Sequence, residues 1–175
     1  MDETTRGAPP AKLRALIALP PVTAAATREA LIAGAGGALA IAVLAGCAAL
    51  AVTPLIIAPF GASCFLLFTL PASPLAQPRN VIGGHIISAL VGIIVLAVLG
   101  PSSLSMAVGV GLAIAAMRLT GTLHPPAGAD PIVVIAAAAP WWFFAVPVGI
   151  GAVILVGCAA AWHRLVSGAQ YPAGP

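Results

Sequence analysis

The sequence predicts an all-α polytopic membrane protein with about six transmembrane segments, two of them broken or re-entrant half-helices. Composition is the first reason: 61% of the 175 residues are hydrophobic, 6% are charged, and the mean hydropathy is +1.14. Soluble domains are much less apolar. The second reason is a pair of similar motifs inside the apolar chain, Pro59-Phe60-Gly61-Ala62-Ser63 and Pro126-Ala127-Gly128-Ala129-Asp130. Each combines a helix breaker, two small residues and a polar residue, which predicts a broken helix at membrane depth.

Six segments have the apolar character of membrane helices, for which about 17–25 residues are needed. They cover approximately 29–52, 53–70, 80–99, 104–119, 124–139 and 142–163. The second and fifth contain the breaks and are short, so a full crossing and a re-entrant loop both remain open for them. The transmembrane domain therefore spans 29–164, between a cytoplasmic N-terminal tail (1–28) and a C-terminal tail (165–175).

Charge placement favours six crossings. If the N-terminus is cytoplasmic, all seven basic residues fall on the cytoplasmic side, as the positive-inside rule expects; they are Arg6, Lys12, Arg14, Arg28, Arg79, Arg118 and Arg164. Two re-entrant loops would instead place Arg79 outside. We therefore expect an integral protein of the bacterial inner (cytoplasmic) membrane with a cytoplasmic N-terminus, and we expect His163, beside Arg164, to be interfacial.

The two motifs also indicate an internal repeat. Their alignment pairs Gly61 with Gly128, Ala62 with Ala129 and Ser63 with Asp130, which are three of five positions. The halves would cover about 29–100 and 101–164, and three crossings in each half would make the second half inverted. Broken helices at corresponding positions of two halves point to a transporter's binding site. The alternative is a chance recurrence in a chain with 19 Gly and 17 Pro.

The predicted site is a small-anion site at the two half-helix N-termini, near the membrane midplane. Such termini present unpaired N–H groups and the positive end of the helix dipole. Ser63 and Asp130 would be the N-cap residues. Four small residues would let the backbone approach the anion; they are Gly61, Ala62, Gly128 and Ala129. The alternative is that Ser63 and Asp130 cap their helices and bind nothing.

Asp130 limits this hypothesis, because an ionised carboxylate repels an anion. It would have to be hydrogen-bonded as a cap, paired with a cation such as Arg118, protonated, or turned away; otherwise the site takes a proton or a cation. Histidine side chains in general titrate near neutral pH and can pass protons or donate to an anion. His124 could therefore also bind the substrate, and His85, His124 or Asp130 could relay protons or gate the path. Packing roles for both histidines are the alternative. His85 follows Gly83-Gly84, a pair that favours close backbone approach.

Three further polar residues lie near the predicted cytoplasmic ends of segments. Arg79 and Asn80 follow a proline-rich connection, and Arg118 lies near the end of the fourth segment. They could form a pore mouth that attracts anions, or they could be anchors at the membrane interface.

The motifs resemble a known family. The stretch His124-Pro125-Pro126-Ala127-Gly128-Ala129-Asp130-Pro131 is similar to the His-Pro-Pro signature of the HPP family of integral membrane proteins, and the stretches 59–63 and 73–85 also resemble that family. The resemblance covers about 29–164. Plant plastid members are associated with nitrite transport, which implies nitrite or a similar anion as the substrate. Family members are usually described with four membrane helices, which is fewer than the six predicted from the sequence.

These observations predict a membrane transporter or channel for a small inorganic anion, with nitrite implied by the resemblance. A chain with so few helices would need a homo-oligomer to enclose a pore. The alternatives are a proton or cation pathway centred on Asp130 and a membrane scaffold or subunit without transport. We expect no enzyme activity, because Asp130 is the single deep carboxylate and neither Gly-x-Ser-x-Gly nor His-Glu-x-x-His occurs. We also expect no cofactor, metal or nucleic-acid partner.

Overall fold

The computed structural model describes residues 22–174 and contains only helices and connections within that range. The α-helices are α1 (Ala24–Ala51), α2 (Pro59–Thr69), α3 (Pro78–Leu99), α4 (Ser103–Thr120), α5 (Asp130–Ala136) and α6 (Ile150–Trp162). Tighter helical turns lie at Pro74–Ala76, Pro125–Ala129 and Trp141–Phe144, and wider ones lie at Ala145–Gly149 and His163–Ser167. The predicted all-α fold is therefore confirmed. Residues 1–21, most of the predicted N-terminal tail, lie outside the described range.

Six helical segments are present where six were predicted, but they differ in length. Four stretches of the described chain are long and apolar enough to cross a membrane: Ala24–Ala51, Pro78–Leu99, Ser103–Thr120 and Trp141–Ser167. Helix α2 has 11 residues and α5 has seven. At about 1.5 Å per residue, α2 spans roughly half of a hydrocarbon core about 30 Å thick. The second and fifth segments are thus the ones that contain short helices.

The helix ends follow local sequence chemistry. Thr23 caps α1 through a 3.1 Å hydrogen bond from Ala26 N, and Ser102 caps α4 through a 3.1 Å bond from Ser105 N. Pro78 occupies the first turn of α3, where the missing N–H costs nothing. Gly121 ends α4 in the left-handed conformation that glycine adopts without strain. The boundaries of α3 and α4 lie within two residues of those predicted.

Several contacts bring the segment ends together at one end of the molecule. Arg28 in α1, Thr69 in α2 and His163 after α6 line a single cavity. Arg79 Nη2 at the start of α3 donates to Thr120 O at the end of α4, at 3.1 Å. Segment 53–69 therefore returns the chain to the end where α1 begins. We call this the arginine end, because the arginines of residues 22–174 lie here: Arg28, Arg79, Arg118 and Arg164.

Helix α3 is central, and its small residues allow close packing. A Cβ added to Gly92 would lie 2.8 Å from Pro131 Cα, and one added to Gly109 of α4 would lie 2.9 Å from Pro131 Cβ. Helix α5 thus begins in a cleft between α3 and α4 that no larger residue would leave open. The C-terminal tail packs against the α2–α3 connection, where Tyr171 Oη donates to Ala76 O at 2.9 Å.

Candidate functional site

Four polar side chains are fully buried where α2, α3 and the segment 124–130 meet. They are Ser63, His85, His124 and Asp130, each with 0% of its surface exposed. We call them the buried cluster. They come from three separate parts of the chain, and helix α3 with its His85 lies between the two broken segments.

The buried cluster is one chain of hydrogen bonds, with a longer side contact at its centre from Ser63 Oγ to Pro59 O at 3.3 Å. Asp130 Oδ2 lies 2.8 Å from His85 Nδ1, and His85 Nε2 lies 2.8 Å from Ser63 Oγ. The same Ser63 Oγ lies 2.8 Å from His124 Nε2, and His124 Nδ1 lies 2.8 Å from Leu75 O. The chain thus runs from a backbone carbonyl in the α2–α3 connection to the carboxylate at the start of α5.

Aromatic and backbone contacts fix the two imidazole rings. The Phe60 ring meets His85 edge-on, with centroids 5.1 Å apart and planes at 81°. The rings of His85 and His124 are 5.0 Å apart at 62°. A Cβ added to Gly84 would lie 2.8 Å from His124 Cβ, so the chain before the His-Pro-Pro motif lies directly on α3. This close approach was predicted from the Gly83-Gly84 pair.

The predicted N-cap roles of Ser63 and Asp130 are wrong. Helix α2 begins four residues before Ser63, and Ser63 Oγ lies 3.3 Å from Pro59 O within the helix. Asp130 follows the turn Pro125–Ala129, so winding has already started and Asp130 makes no capping bond. The two prolines at the start of that turn favour helical φ angles, which moves the helix start before Asp130. Its carboxylate turns to α3 instead.

The Gly-Ala pairs of the two motifs differ in exposure. Gly61 and Ala62 are exposed on the outer face of α2, whereas Gly128 and Ala129 are half-buried. Added Cβ atoms at Gly61 and Gly128 would meet no atom within 4 Å, so neither glycine is required by packing. The structure joins the last residues of the motifs, Ser63 and Asp130, through His85.

Two of the three residues predicted for a pore mouth are hydrogen-bonded to backbone carbonyls, and the third is exposed. Asn80 Nδ2 donates to Leu123 O at 2.8 Å, and Arg79 donates to Thr120 O, so both attach the loop before His124 to α3. Arg118 is exposed on α4. Asp130 Oδ2 takes its hydrogen-bond partner from α3, at His85 Nδ1, and it forms no ion pair with Arg118.

One cavity of about 460 Å³ touches the buried cluster, at His124. It lies between α4 and the segment 123–132, and its walls are mainly apolar; they include Val110, Ile114, Met117, Gly128, Ala129 and Ile132. At the opposite end of the cluster, Asp130 Oδ1 is buried and has no hydrogen-bond partner among the described residues. Buried polar atoms are usually satisfied, so this oxygen marks a place for a further donor.

Several buried polar residues were not predicted from the sequence, and two of them make contacts between distant elements, His163 and Ser88. His163, expected at the interface, is 2% exposed, and its nitrogens lie 2.8 Å from Leu67 O and 2.7 Å from Ser167 Oγ. Ser88 Oγ donates to Ala127 O at 2.6 Å. The burial of Ser88 could have been predicted, because residues 85 and 88 lie on the same face of a helix.

The described residues contain no group of three His, Cys, Asp or Glu side chains placed to hold a metal ion. The hydrogen bonds of the buried cluster explain this, because the Nε2 atoms of His85 and His124 both face Ser63 and each Nδ1 faces an oxygen. The imidazole nitrogens are thus used within the protein.

Comparison with known proteins agrees with this architecture. Two transmembrane proteins of Dictyostelium discoideum are each 35% identical to the chain, over 128 and 125 residues. The matches cover 69% and 67% of this chain but 41% and 44% of those proteins, so the chain spans less than half of their length. No solved structure matches. The family described as "HPP, transmembrane region" matches residues 22–172, and the chain therefore belongs to the HPP family of integral membrane proteins.

Proposed function

We propose that this protein is a membrane transporter or channel for a small inorganic anion, with nitrite as the first candidate. The observation that carries the proposal is the buried cluster. Ionisable side chains inside a membrane protein are costly, and they typically mark ion or proton pathways. Here two histidines and an aspartate are fully buried between two broken segments, where transporters form their sites.

Charge supports an anion over a cation. The chain has a formal net charge of +3, and the four arginines of residues 22–174 lie at one end. A patch of one sign raises the local concentration of the opposite ion and speeds its entry. Arg79 and Arg118 lie nearest the loop that leads to His124, so an anion drawn to them would arrive beside the buried cluster.

The path of the chain supports two inverted halves, about 29–100 and 101–164. Segment 53–69 runs toward the arginine end and segment 124–139 leaves it. Corresponding residues of the two motifs, Ser63 and Asp130, both contact His85. We propose that each half crosses three times and that the arginine end is cytoplasmic, in accordance with the positive-inside rule. We also propose a homo-oligomer, since the helices of one chain are too few to enclose a pore.

Ser63, His85 and Asp130 have the hydrogen-bond order of a serine hydrolase triad, and we nevertheless propose no hydrolase activity. Ser63 Oγ is 0% exposed and lies between two imidazoles, so a carbonyl carbon has no approach to it. A nucleophile needs such an approach. Labelling by a fluorophosphonate should therefore fail on the folded protein; stoichiometric labelling that is lost in Ser63→Ala would support an enzyme.

The decisive test of transport is nitrite entry into proteoliposomes that contain the purified protein. We expect entry that depends on the protein and falls at least tenfold in Ser63→Ala, because this change breaks the chain at its centre. Ser88→Ala is the matched control, since it removes another buried serine hydroxyl between α3 and the 125–129 turn and leaves the buried cluster intact.

Two other results would favour the alternative functions. Proton or cation current without nitrite, lost in Asp130→Asn, would support a pathway centred on Asp130; the unpartnered Oδ1 favours this second candidate. If folded protein in sealed vesicles moves neither nitrite nor protons, transport is rejected and a scaffold or subunit role remains.

A further inference from the structure

The buried cluster contains more hydrogen bonds than its neutral side chains can supply with protons. Four bonds connect Asp130, His85, Ser63, His124 and the carbonyl of Leu75 in series. Each needs one proton. Two neutral imidazoles and one hydroxyl provide three, and an ionised carboxylate provides none. One bond would therefore lack a proton.

The position of the missing proton follows from the two ends of the chain. A carbonyl only accepts, so His124 Nδ1 must donate to Leu75 O; an ionised Asp130 likewise requires a donor at His85 Nδ1. In neutral rings both Nε2 atoms then accept. Ser63 has one proton for these two acceptors. In one of the two Oγ–Nε2 contacts, two lone pairs would therefore face each other at 2.8 Å with no proton between them. Turning that proton to Pro59 O, at 3.3 Å, would leave both contacts unpaired.

We propose that the buried cluster is a proton-binding site, which holds one proton beyond those of the neutral histidines and serine and passes it as the co-substrate of the anion. The proton site stands on the geometry alone, and the coupling rests on the proposed function. With this proton all four bonds are complete. No buried contact between two acceptors remains; such a contact would be costly, because neither atom would have a donor.

The extra proton can move along the chain without movement of heavy atoms. In the first arrangement the extra proton is on His124 Nε2, which donates to Ser63 Oγ. The Ser63 hydroxyl then donates to His85 Nε2. A hop through Ser63 makes His85 the imidazolium, and a second hop, from His85 Nδ1 to Asp130 Oδ2, leaves a neutral carboxylic acid. The three arrangements use the same four bonds, so the proton can travel between His124 and Asp130.

The charge of the buried cluster changes with occupancy, from −1 when empty to zero when loaded. An anion is repelled by the empty state and tolerated by the loaded one, so anion entry requires the proton.

Other titratable groups on the surrounding elements are directed elsewhere. Cys64 of α2 faces α1 at Gly37, 3.7 Å from the position of an added Cβ. Arg79 of α3 is bonded to Thr120 O, and His163 after α6 is bonded to Leu67 O and Ser167. Arg118 of α4 and Glu29 and Arg28 of α1 are exposed at the arginine end. Tyr171 of the C-terminal tail is bonded to Ala76 O. Protonation changes between the two broken segments thus belong to the buried cluster.

Solid-state nitrogen NMR of histidine-labelled protein in lipid vesicles tests the proton count directly, with infrared detection of the Asp130 carboxyl. We expect either one imidazolium at His85 or His124 with ionised Asp130, or two neutral rings with a protonated Asp130. His163→Gln and Asp130→Asn assign the signals. Two neutral rings together with an ionised Asp130, from pH 6 to 8, would overturn the proposal.

Initial rates of nitrite entry test the coupling separately. Protein-free vesicles give the background, because undissociated nitrous acid crosses lipid unaided. Acidifying the outside by one pH unit should raise the protein-dependent rate about tenfold in the wild type if one proton enters with each anion, and less than twofold in Asp130→Asn, whose amide adds no negative charge. Entry in the wild type that ignores the gradient would overturn the coupling while leaving nitrite transport standing. Absence of entry would instead reject the proposed function, and the spectroscopic count would decide the proton site alone.

Discussion

The two similar motifs occupy very different environments. In the first, Gly61 and Ala62 face outward and only the final residue, Ser63, reaches the interior. In the second, Gly128 and Ala129 line a cavity and Asp130 is fully buried. The pair of small residues that makes the motifs look alike is therefore not what they share in space. They share the last position, which in both cases contacts His85.

This difference teaches that a broken helix can place either its backbone or its side chains at a site. Unpaired N–H groups at the helix N-termini would have formed an anion-binding site from the backbone. Here the second turn of α2 and the start of α5 instead present a hydroxyl and a carboxylate to a histidine from α3. In our proposal, the chemistry of the site is therefore that of protons, and the entry of an anion depends on it.

The first prediction, which has the largest expected effect, compares a glycine that packing requires with a glycine of the first motif. Gly92→Val should prevent folding or lower the free energy of unfolding by about 3 kcal/mol or more, because its side chain would overlap Pro131 at the start of α5. Gly61→Val, with no atom within 4 Å of the added Cβ, is the matched control. Monodisperse yield and melting in detergent measure both. Equal loss in the two variants would show that the motif glycine is also a packing residue.

A second prediction tests the bond that the second motif makes to α3. Asp130→Ala leaves the buried His85 Nδ1 without its acceptor and should lower the free energy of unfolding by about 1–3 kcal/mol. Asp130→Asn keeps an acceptor oxygen at that place and should lose less. Thermal melting of the two variants side by side checks the order. The reverse order would mean that His85 does not donate to residue 130.

A third prediction concerns the tail that supports the cluster from the α2–α3 connection. Burial raises the pKa of the Tyr171 hydroxyl above its ordinary value near 10. The folded state thus binds this proton more tightly than the unfolded state, so its contribution is complete below pH 10 and declines as the pH rises further. Tyr171→Phe should cost about 1 kcal/mol at neutral pH through the lost bond to Ala76 O. The difference in the free energy of unfolding between Tyr171→Phe and the wild type should narrow above pH 10. A difference that stays constant from pH 8 to 11 would contradict the assignment.

The smallest expected effect addresses the motif glycines themselves. Gly61→Ala lies within α2 and adds helix propensity in open space, so it should be neutral or stabilising by up to about 1 kcal/mol. Gly128→Ala should also be tolerated. Nitrite entry should survive both changes. Loss of entry from a well-folded Gly61→Ala protein would return the backbone of the first motif to the site.

The sequence predicted most of the fold because its signals were local. Apolar runs placed α1, α3, α4 and α6, and proline marked the breaks. The Gly83-Gly84 pair predicted close backbone approach at the right place. The site residues were predicted by type, since His85, His124, Ser63 and Asp130 were all candidates.

Their mutual arrangement could not be predicted, because it depends on contacts distant in sequence. Ser63 and His124 are 61 residues apart, and His163 and Leu67 are 96 apart. The capping prediction failed for a local reason: Pro125 starts the winding before Asp130, and this choice depends on how the turn packs against α3. No property of the isolated segment distinguishes a carboxylate that caps its own helix from one that reaches a neighbour.

The gathering of arginines at one end has a consequence for how the protein enters a membrane. The opposite end is made of the chain around residues 51–54, 99–103 and 137–142, which contain no Lys, Arg, Asp or Glu. Moving an ionised side chain through hydrocarbon costs several kcal/mol, and here no loop on that side has one to move. The hairpin of α3 and α4 in particular can insert with a turn of Gly100, Pro101 and Ser102. We therefore expect a lower barrier to insertion for the orientation that leaves the arginine end on the side of synthesis than for its reverse.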